Sequence, residues 1–258
     1  MKTGFYKKVA AGALALLLSV GSFCFGGMKA EASYYVTYTN AAQVCSHVYK
    51  GYNGGAYGPI TVTKGTLKNG WNERAVYLIT LSGTESVSNQ STGYVTDALA
   101  GFNLSNPYVR NCVNVISTRI PKNSNLVLAG HSLGGMVAQQ VAADSTIKNN
   151  YNVLNTVTFG SPLLAAGTRE GDVKRLGDTS DVIPYASGSL INNAAWAIAG
   201  LNREDGGYGW NAFDAHTKSY TRTDVWGKYD AVGQKYGGAQ LILDMGTLTY
   251  YKSPTSVK

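Results

Sequence analysis

Hydrophobic residues follow two different periods along the middle of the chain. Spacings of three and four residues predict amphipathic helices at 40–49, 107–120 and 133–143. Short apolar and β-branched runs predict strands at 75–81, 126–129, 153–159 and 173–176. Because parallel strands need crossover connections, which are usually helices, this alternation predicts an α/β fold with a mostly parallel central sheet and helices on its faces.

The pattern is weaker beyond Pro184. Helical spacing predicts helices at 189–201 and 225–235, and the apolar run 241–251 predicts a terminal strand or hairpin. Nearer the start of the chain, the glycine-rich segment 51–58 predicts a turn after the first helix.

The first 32 residues have the pattern of a signal peptide. Three lysines precede the almost uncharged stretch 9–25, and Ala30 and Ala32 occupy the positions that a signal peptidase reads. The apolar run is short and contains glycine and serine, which disfavours a stable membrane anchor. We therefore expect residues 1–32 to be removed from a secreted protein, leaving 33–258 as a single catalytic domain.

Composition and charge narrow the classes of partner. Of 258 residues, 44% are hydrophobic and 14% charged, which supports one full core and excludes a disordered or coiled-coil protein. The formal charge of +7 falls to +4 when the leader takes away four lysines and one glutamate. The sequence has no Lys/Arg run, no metal-ligand cluster and no phosphate-binding glycine loop, so we expect no nucleic acid, metal or organic cofactor.

Two cysteines, Cys45 and Cys112, remain in the expected mature chain. An oxidising compartment permits a disulfide between them. Each lies on the apolar face of a predicted helix, which favours two buried free thiols. Their spacing in the sequence leaves both alternatives open.

A serine motif lies between a predicted strand and a predicted helix. Residues 130–135 read Gly-His-Ser-Leu-Gly-Gly and contain Gly-x-Ser-x-Gly. The strand-turn-helix setting is typical of a nucleophile elbow, a tight turn that exposes the serine Oγ. Gly130 and Gly134 are expected to allow close approach of the flanking backbones, and the serine φ and ψ to be strained. We therefore predict Ser132 as a nucleophile.

A serine nucleophile needs a general base, and the chain offers three histidines. His47 lies on the first helix and is expected to be a surface or half-buried residue. His131 adjoins the serine and is expected to have a packing or hydrogen-bonding role. His216 follows the serine in a polar segment and fits the chain order serine, acid, histidine, so we predict it as the base.

The acid and the oxyanion donors are expected at the same edge of the sheet. Asp178 and Asp181 both follow the strand 173–176, and spacing alone leaves the two equal. The N–H of Leu133, near a helix start, is predicted as one oxyanion donor. Thr84, in the loop after the strand 75–81, is predicted as the other through its N–H and hydroxyl.

Four motifs in this order resemble the class 3 (fungal-type) lipases of the α/β-hydrolase superfamily. They are Gly130 to Gly135, Thr158-Phe159-Gly160-Ser161-Pro162, Asp181-Val182-Ile183-Pro184 and His216. The resemblance covers 71–220 and implies an α/β-hydrolase fold, with Ser132 as nucleophile and His216 as base. It selects Asp181 over Asp178, because Asp181 precedes Val-Ile-Pro much as the family's acid precedes its x-Val-Pro. It also matches Thr84 to the family's oxyanion position.

The chain departs from that family near the oxyanion loop. Leu81 and Ser82 replace the aromatic and arginine of the family, and 85–93 is polar where the family often has an amphipathic lid. The insert 190–210 is more apolar, and is expected either to cover the site or to pack as a core helix.

These observations predict a secreted serine carboxylic-ester hydrolase that forms an acyl-enzyme. Acylglycerols or related lipid esters, met at an interface, are the favoured substrates, with a short-chain or polymer-acyl esterase as the alternative. Two alternatives from other functional classes remain open. One is a catalytically inert lipid- or surface-binding module, and the other is a serine acyltransferase. We expect a monomer.

Overall fold

Backbone hydrogen bonds join eight strands into one sheet in the computed structural model, which describes residues 34–52, 58–83, 107–165, 167–185 and 200–253. The strands are β1 (Tyr35–Tyr38), β2 (Ile60–Asn69), β3 (Asn72–Leu81), β4 (Asn125–His131), β5 (Asn152–Phe159), β6 (Asp172–Asp178), β7 (Leu201–Glu204) and β8 (Gln240–Tyr251). The described helices are α1 (Ala41–Tyr49), α2 (Pro107–Arg119), α3 (Leu133–Ala143), α4 (Ser145–Asn150), α5 (Ala212–Lys218) and α6 (Thr223–Trp226).

The sheet has an antiparallel part and a parallel part. Its order is β1-β8-β2-β3-β4-β5-β6-β7. Strands β3 to β7 pair in parallel, whereas β1, β8, β2 and β3 pair antiparallel. The carboxyl ends of β3, β4, β5 and β6 therefore lie along one edge of the sheet.

Alternate side chains along the parallel strands point to opposite faces of the sheet and form two separate hydrophobic cores. Val127 and Ala129 of β4 face the core that also contains α1 and α6, whereas Leu126 and Leu128 face the core that contains α2 and α3. A strand buried on both faces reads as a continuous apolar run, which is why 126–129 was recognisable. The predicted α/β-hydrolase fold, with a mostly parallel sheet and helices on both faces, is confirmed.

Local signals located most of these elements. Helix α1 begins after Asn40, whose side chain accepts the Gln43 N–H at 3.0 Å in a capping box. Helix α3 has the predicted bounds, and the predicted strands match the cores of β3, β4, β5 and β6. The long hairpin strand β2 was not predicted, because its threonines and Lys64 interrupt the apolar pattern.

The predicted helix at 225–235 is wrong. Only Thr223–Trp226 is helical, and Tyr229 pairs with Lys235 as an isolated antiparallel bridge. The reason is the buried carboxylate of Asp230, which accepts the N–H groups of Val232 and Gln234 that a helix would use internally. It also accepts the N–H of Ala239, beyond the predicted helix. Of the predicted helix 189–201, Leu201 instead begins β7, and 189–199 lie outside the described residues.

Cys45 and Cys112 are free and buried. Cys45 belongs to the core on one face of the sheet and Cys112 to the core on the other. The disulfide alternative is therefore wrong, and the thiols behave as small apolar groups.

All described residues belong to one compact unit, Ala32–Lys258. The predicted signal peptide lies outside the described residues. Within the described part of the chain, no helix has both the length and the apolar character needed to cross a membrane.

Candidate active site

Ser132 occupies the bend between β4 and α3. Its backbone has φ 55° and ψ −124°, a conformation that costs a non-glycine residue about 1–3 kcal/mol. The Ser132 N–H donates to the carbonyl of Phe159 at 2.9 Å, which ties the bend to the end of β5. The Ser132 side chain makes no capping hydrogen bond to α3. The expected strained serine at a strand-helix bend is therefore present, and its hydroxyl is not used to cap the helix.

Two glycines let this bend close. A Cβ at Gly130 would overlap the backbone of Gly134, and a Cβ at Gly134 would overlap the carbonyl of Leu81 at the end of β3. A Cβ at Gly135 would lie 2.6 Å from the Ser161 Cβ. The start of α3 thus packs against neighbouring strand ends at backbone distance, which only residues without a Cβ permit.

His216 and Asp181 form a buried pair at the same edge. His216 lies on α5, and Asp181 lies three residues beyond the end of β6. The His216 Nδ1 is 2.7 Å from the Asp181 Oδ2, and both side chains are almost fully buried. With Nδ1 donating its proton to the carboxylate, the imidazole Nε2 carries the lone pair that a general base requires.

Two further donors fix the Asp181 carboxylate. Its Oδ2 accepts the Tyr220 hydroxyl at 2.6 Å, and its Oδ1 accepts the Ile183 N–H at 3.0 Å. Tyr220 also accepts the Asp178 N–H at 3.0 Å and stacks on Trp226. Tyr220 carries no local sequence signal for this role, because its partners lie about forty positions away along the chain.

Asp178 has a different set of partners. Its Oδ1 accepts the Ser180 N–H at 2.9 Å, while its Oδ2 accepts the Gly206 N–H at 3.1 Å and the Ser219 hydroxyl at 2.5 Å. This carboxylate joins the end of β6 to the segments before and after α5. Of the two aspartates that spacing left equal, the structure brings Asp181 to His216.

His131 points away from the bend toward the backbone of the predicted base. Its Nε2 is 2.9 Å from the carbonyl of His216, so Nε2 carries the proton and Nδ1 accepts the Tyr52 hydroxyl at 2.6 Å. The His131 and His216 rings lie 4.5 Å apart. The predicted hydrogen-bonding role is present, but its partner, the residue predicted as base, was not foreseen.

His47 corrects an expectation. It was expected at or near the surface, yet its side chain is fully buried. The ring lies between the Tyr38 hydroxyl, 3.1 Å from Nδ1, and the Thr63 hydroxyl, 3.3 Å from Nε2. A helix pattern gives the face of a residue but not the second strand that covers it, here β2.

The end of β5 connects the serine to the acid-base pair. Phe159 accepts the Ser132 N–H, and the next residue, Gly160, has φ 54°. A Cβ at Gly160 would lie 2.8 Å from the Asp181 Oδ2 and 3.0 Å from the His216 Nδ1. Consecutive residues of one strand end therefore contact Ser132 on one side and the Asp181-His216 pair on the other.

Of the two predicted oxyanion donors, Leu133 lies within the described residues. Leu133 is the first residue of α3, where backbone N–H groups lack carbonyl partners within the helix. Thr84 lies outside the described residues. Its predecessor Gly83 is described, and a Cβ there would lie 3.1 Å from the Ser132 Cβ. The loop that leads to Thr84 thus leaves β3 beside Ser132.

Burial sets the protonation of the pair. It lowers the pKa of His216 below the ordinary value of 6.5. Burial also raises the pKa of Asp181, against hydrogen bonds from Tyr220 and Ile183 that lower it. A neutral imidazole is the resting form near neutral pH.

The lowered pKa of His216 predicts how the activity changes at acidic pH. A general base must be neutral to accept a proton, so with His216 in the predicted role kcat/KM for a soluble ester is expected to fall as pH decreases through the lowered pKa, with the half-maximal point below pH 6.5. A pH profile of kcat/KM measures it. A half-maximal point above pH 6.5 would contradict the lowered pKa.

Unfolding must be measured over the same pH range. Burial lowers the pKa of His47 and of His131 to about 4. Below pH 6.5 the unfolded chain takes up protons that these folded-state imidazoles do not, so stability is expected to decrease as pH falls from 6.5 toward 4. A reversible fall in rate with the folded fraction unchanged then belongs to His216.

Comparison with known proteins identifies a family to which this chain belongs. Residues 42–179 match the family described as PGAP1-like alpha/beta domain, and this is more than half of the chain. The chain belongs to the PGAP1-like α/β family. This is an α/β-hydrolase-type family, which agrees with the sheet and with the bend at Ser132. No curated protein and no solved structure matches the chain significantly.

Membership of the PGAP1-like family supports hydrolase activity in general. The matched segment contains β3, β4, α3 and β5 and ends at Thr179, one residue beyond Asp178. It ends before Asp181 and His216. The family match therefore includes the predicted nucleophile Ser132. The assignment of Asp181 and His216 rests instead on their hydrogen bond and their burial.

Proposed function

We propose that this protein is a secreted serine carboxylic-ester hydrolase of the class 3 lipase type that acts on acylglycerols or related lipid esters. One observation carries the chemistry: a strained serine at a strand-helix bend shares a strand end with a buried His216-Asp181 pair joined at 2.7 Å. The PGAP1-like family supports the class of reaction.

In the proposed reaction the Ser132 Oγ attacks the ester carbonyl and His216 Nε2 takes its proton. Asp181 holds the ring and stabilises the imidazolium, while the N–H of Leu133 and the donors of Thr84 bind the tetrahedral oxyanion. The intermediate collapses to an acyl-enzyme as the imidazolium returns the proton to the departing alcohol. Water then attacks the acyl-enzyme through the same base, which releases the carboxylic acid and restores Ser132.

Apolar side chains near the acid and base favour a lipid substrate. Val182, directly after Asp181, is 48% exposed, and Phe213, on the same helix as His216, is 37% exposed. Trp210, two residues before that helix, is fully exposed. The neighbouring charges form the ion pairs Lys218-Asp214 and Arg222-Asp224. Exposed aromatics with neutralised charges suit contact with an uncharged lipid interface.

Rates across an acyl-chain series test the substrate class. A lipase is expected to increase its rate when a long-chain ester exceeds its solubility limit and forms an emulsion. An enzyme that prefers short soluble esters throughout would instead be an esterase, and a chain that resists fluorophosphonate labelling would be an inert module. Products formed with an added alcohol would indicate acyl transfer.

Trp210→Ala tests the interfacial contact. Loss of an indole that enters an interface is worth about 1.5–3 kcal/mol, so we expect about tenfold or greater loss of turnover on emulsion. Turnover of a soluble short-chain ester should be unchanged. The matched control is Trp71→Ala, because Trp71 is equally exposed but lies in the hairpin turn before β3, at the opposite edge of the sheet. Equal effects of both substitutions on emulsion turnover would contradict the proposed contact.

A further inference from the structure

The edge of the sheet opposite Ser132 is rich in asparagine. Asn72, Asn125 and Asn152 are the first residues of β3, β4 and β5. Nine residue steps separate Asn72 from Leu81, which lies beside the bend, so at 3.3 Å per residue this edge is about 30 Å from the candidate active site. It has no part in the proposed chemistry.

A cavity of about 240 Å³ opens at this edge. Its lining residues are Leu67, Asn69, Asn72, Arg74, Leu154 and Asn155. Leu67 pairs with Arg74 and Asn69 with Asn72 across the β2-β3 hairpin, so these four side chains leave the same face of the sheet. Leu154 and Asn155 come from β5, and the cavity therefore lies between two parts of the fold rather than within one turn.

The polar side chains of this cavity have no partners among the described residues. Asn69, Asn72, Asn155 and Arg74 make no side-chain hydrogen bond or ion pair with described residues, whereas nearby Lys68 and Glu73 pair with each other. Each asparagine carboxamide offers two N–H donors and one carbonyl acceptor in a plane, and the arginine offers five donors. Three carboxamides and one guanidinium thus converge on a small cavity with unused hydrogen-bonding capacity.

Trp71 stands in the turn between two of these asparagines. The hairpin turn is Asn69-Gly70-Trp71-Asn72, in which Gly70 has φ 59°. The Trp71 side chain is fully exposed. Burial of the large apolar face of an indole is strongly favourable, and the Trp71 indole does not pack against the core. Trp71 adjoins Asn72 along the chain but is not among the residues that line the cavity. An exposed aromatic ring next in the chain to a planar amide suits a sugar ring, which has apolar C–H faces and a rim of paired hydroxyls.

We propose that this edge binds a glycan, with a sugar ring stacked on Trp71 and its hydroxyl or carboxylate groups bound by Asn69, Asn72, Asn155 and Arg74. Sugar hydroxyls both donate and accept and so match the paired donors and acceptor of a carboxamide, whereas the phosphate and ester oxygens of a lipid surface only accept, which favours the glycan. Bound there, a polysaccharide would hold the protein at its surface with the Ser132 edge free about 30 Å away. The proposal is independent of any reaction at Ser132.

Binding of defined oligosaccharides to the full chain tests the proposal. Calorimetric or NMR titrations would use cellohexaose, chitohexaose and hexagalacturonate, the first two neutral and the third carrying carboxylates. Wild type is expected to bind at least one of them with a Kd in the millimolar range or tighter. Trp71→Ala should weaken that binding about tenfold or more, and Trp210→Ala should leave it unchanged.

Arg74→Gln separates the two kinds of sugar. It should weaken binding of hexagalacturonate more than binding of the neutral oligomers if Arg74 contacts a carboxylate, and weaken all equally if it contacts hydroxyls. Thermal unfolding should be unaffected by either substitution, because both side chains are exposed. No binding of any of the three oligosaccharides by wild type, or equal binding by Trp71→Ala, would overturn the proposal. Loss of vesicle binding in Trp71→Ala would assign the edge to lipid instead.

Discussion

Ser132→Ala is expected to reduce kcat for a chromogenic acyl ester about 10⁴-fold or more, because it removes the only atom proposed to attack the carbonyl. The substitution should also abolish covalent labelling by a fluorophosphonate. Ser132 is buried at a bend fixed by backbone contacts, so the loss of one hydroxyl should leave thermal unfolding almost unchanged. Initial rates, labelling and a melting curve on the same preparations measure all three effects.

The control for this substitution is Ser145→Ala. Ser145 begins α4 on the exposed surface and contributes nothing to the candidate active site. It should retain both turnover and labelling. Turnover retained by Ser132→Ala would refute the proposed nucleophile even if the fold is unchanged.

Asp181→Asn is expected to have the second-largest effect, a decrease in kcat of about 10⁴-fold. The carboxamide no longer fixes the tautomer in which Nδ1 of His216 carries the proton, and it removes the charge opposite the developing imidazolium. The effect should appear mainly in kcat rather than KM, because Asp181 is fully buried and does not reach substrate.

Asp178→Asn is the matched control, because it makes the same chemical change at a buried carboxylate three residues earlier. Asp178 accepts three hydrogen bonds from Ser180, Gly206 and Ser219. Weakening them should cost about 1–3 kcal/mol in the free energy of unfolding and reduce kcat far less than Asp181→Asn does. The opposite ordering of the two rates would reassign the acid.

The role of Tyr220 follows from the same pair of aspartates. Its hydroxyl donates to the Asp181 carboxylate and accepts the Asp178 backbone N–H, so it fixes the positions of Asp178 and Asp181 relative to each other. It fixes Asp181, its ring also lies edge-on to the His216 ring at 6.4 Å, and it is a positioning residue. Its place next to α5 gave no signal in the sequence, because a tyrosine after a helix is equally common in an ordinary core.

Local patterns determined a large part of this protein. Apolar periods identified α1, α2, α3 and the inner parallel strands, since burial on one helix face or both strand faces leaves a direct record in the order of residues. The Gly-x-Ser-x-Gly motif indicated the bend at Ser132, because glycine is required wherever backbones approach within a Cβ radius.

Tertiary structure decided the rest. Asp178 ends β6 and Asp181 follows three residues later. Spacing did not choose between them, the family resemblance favoured Asp181, and the path of the chain after β6 brings Asp181 to Nδ1 of His216. The burial of His47 under β2, the contact of His131 with the His216 carbonyl, and the separation of Cys45 from Cys112 by the sheet likewise depend on distant segments. Periodicity reports which side of an element is buried, whereas the partner on that side is set by the order of strands and the course of the loops.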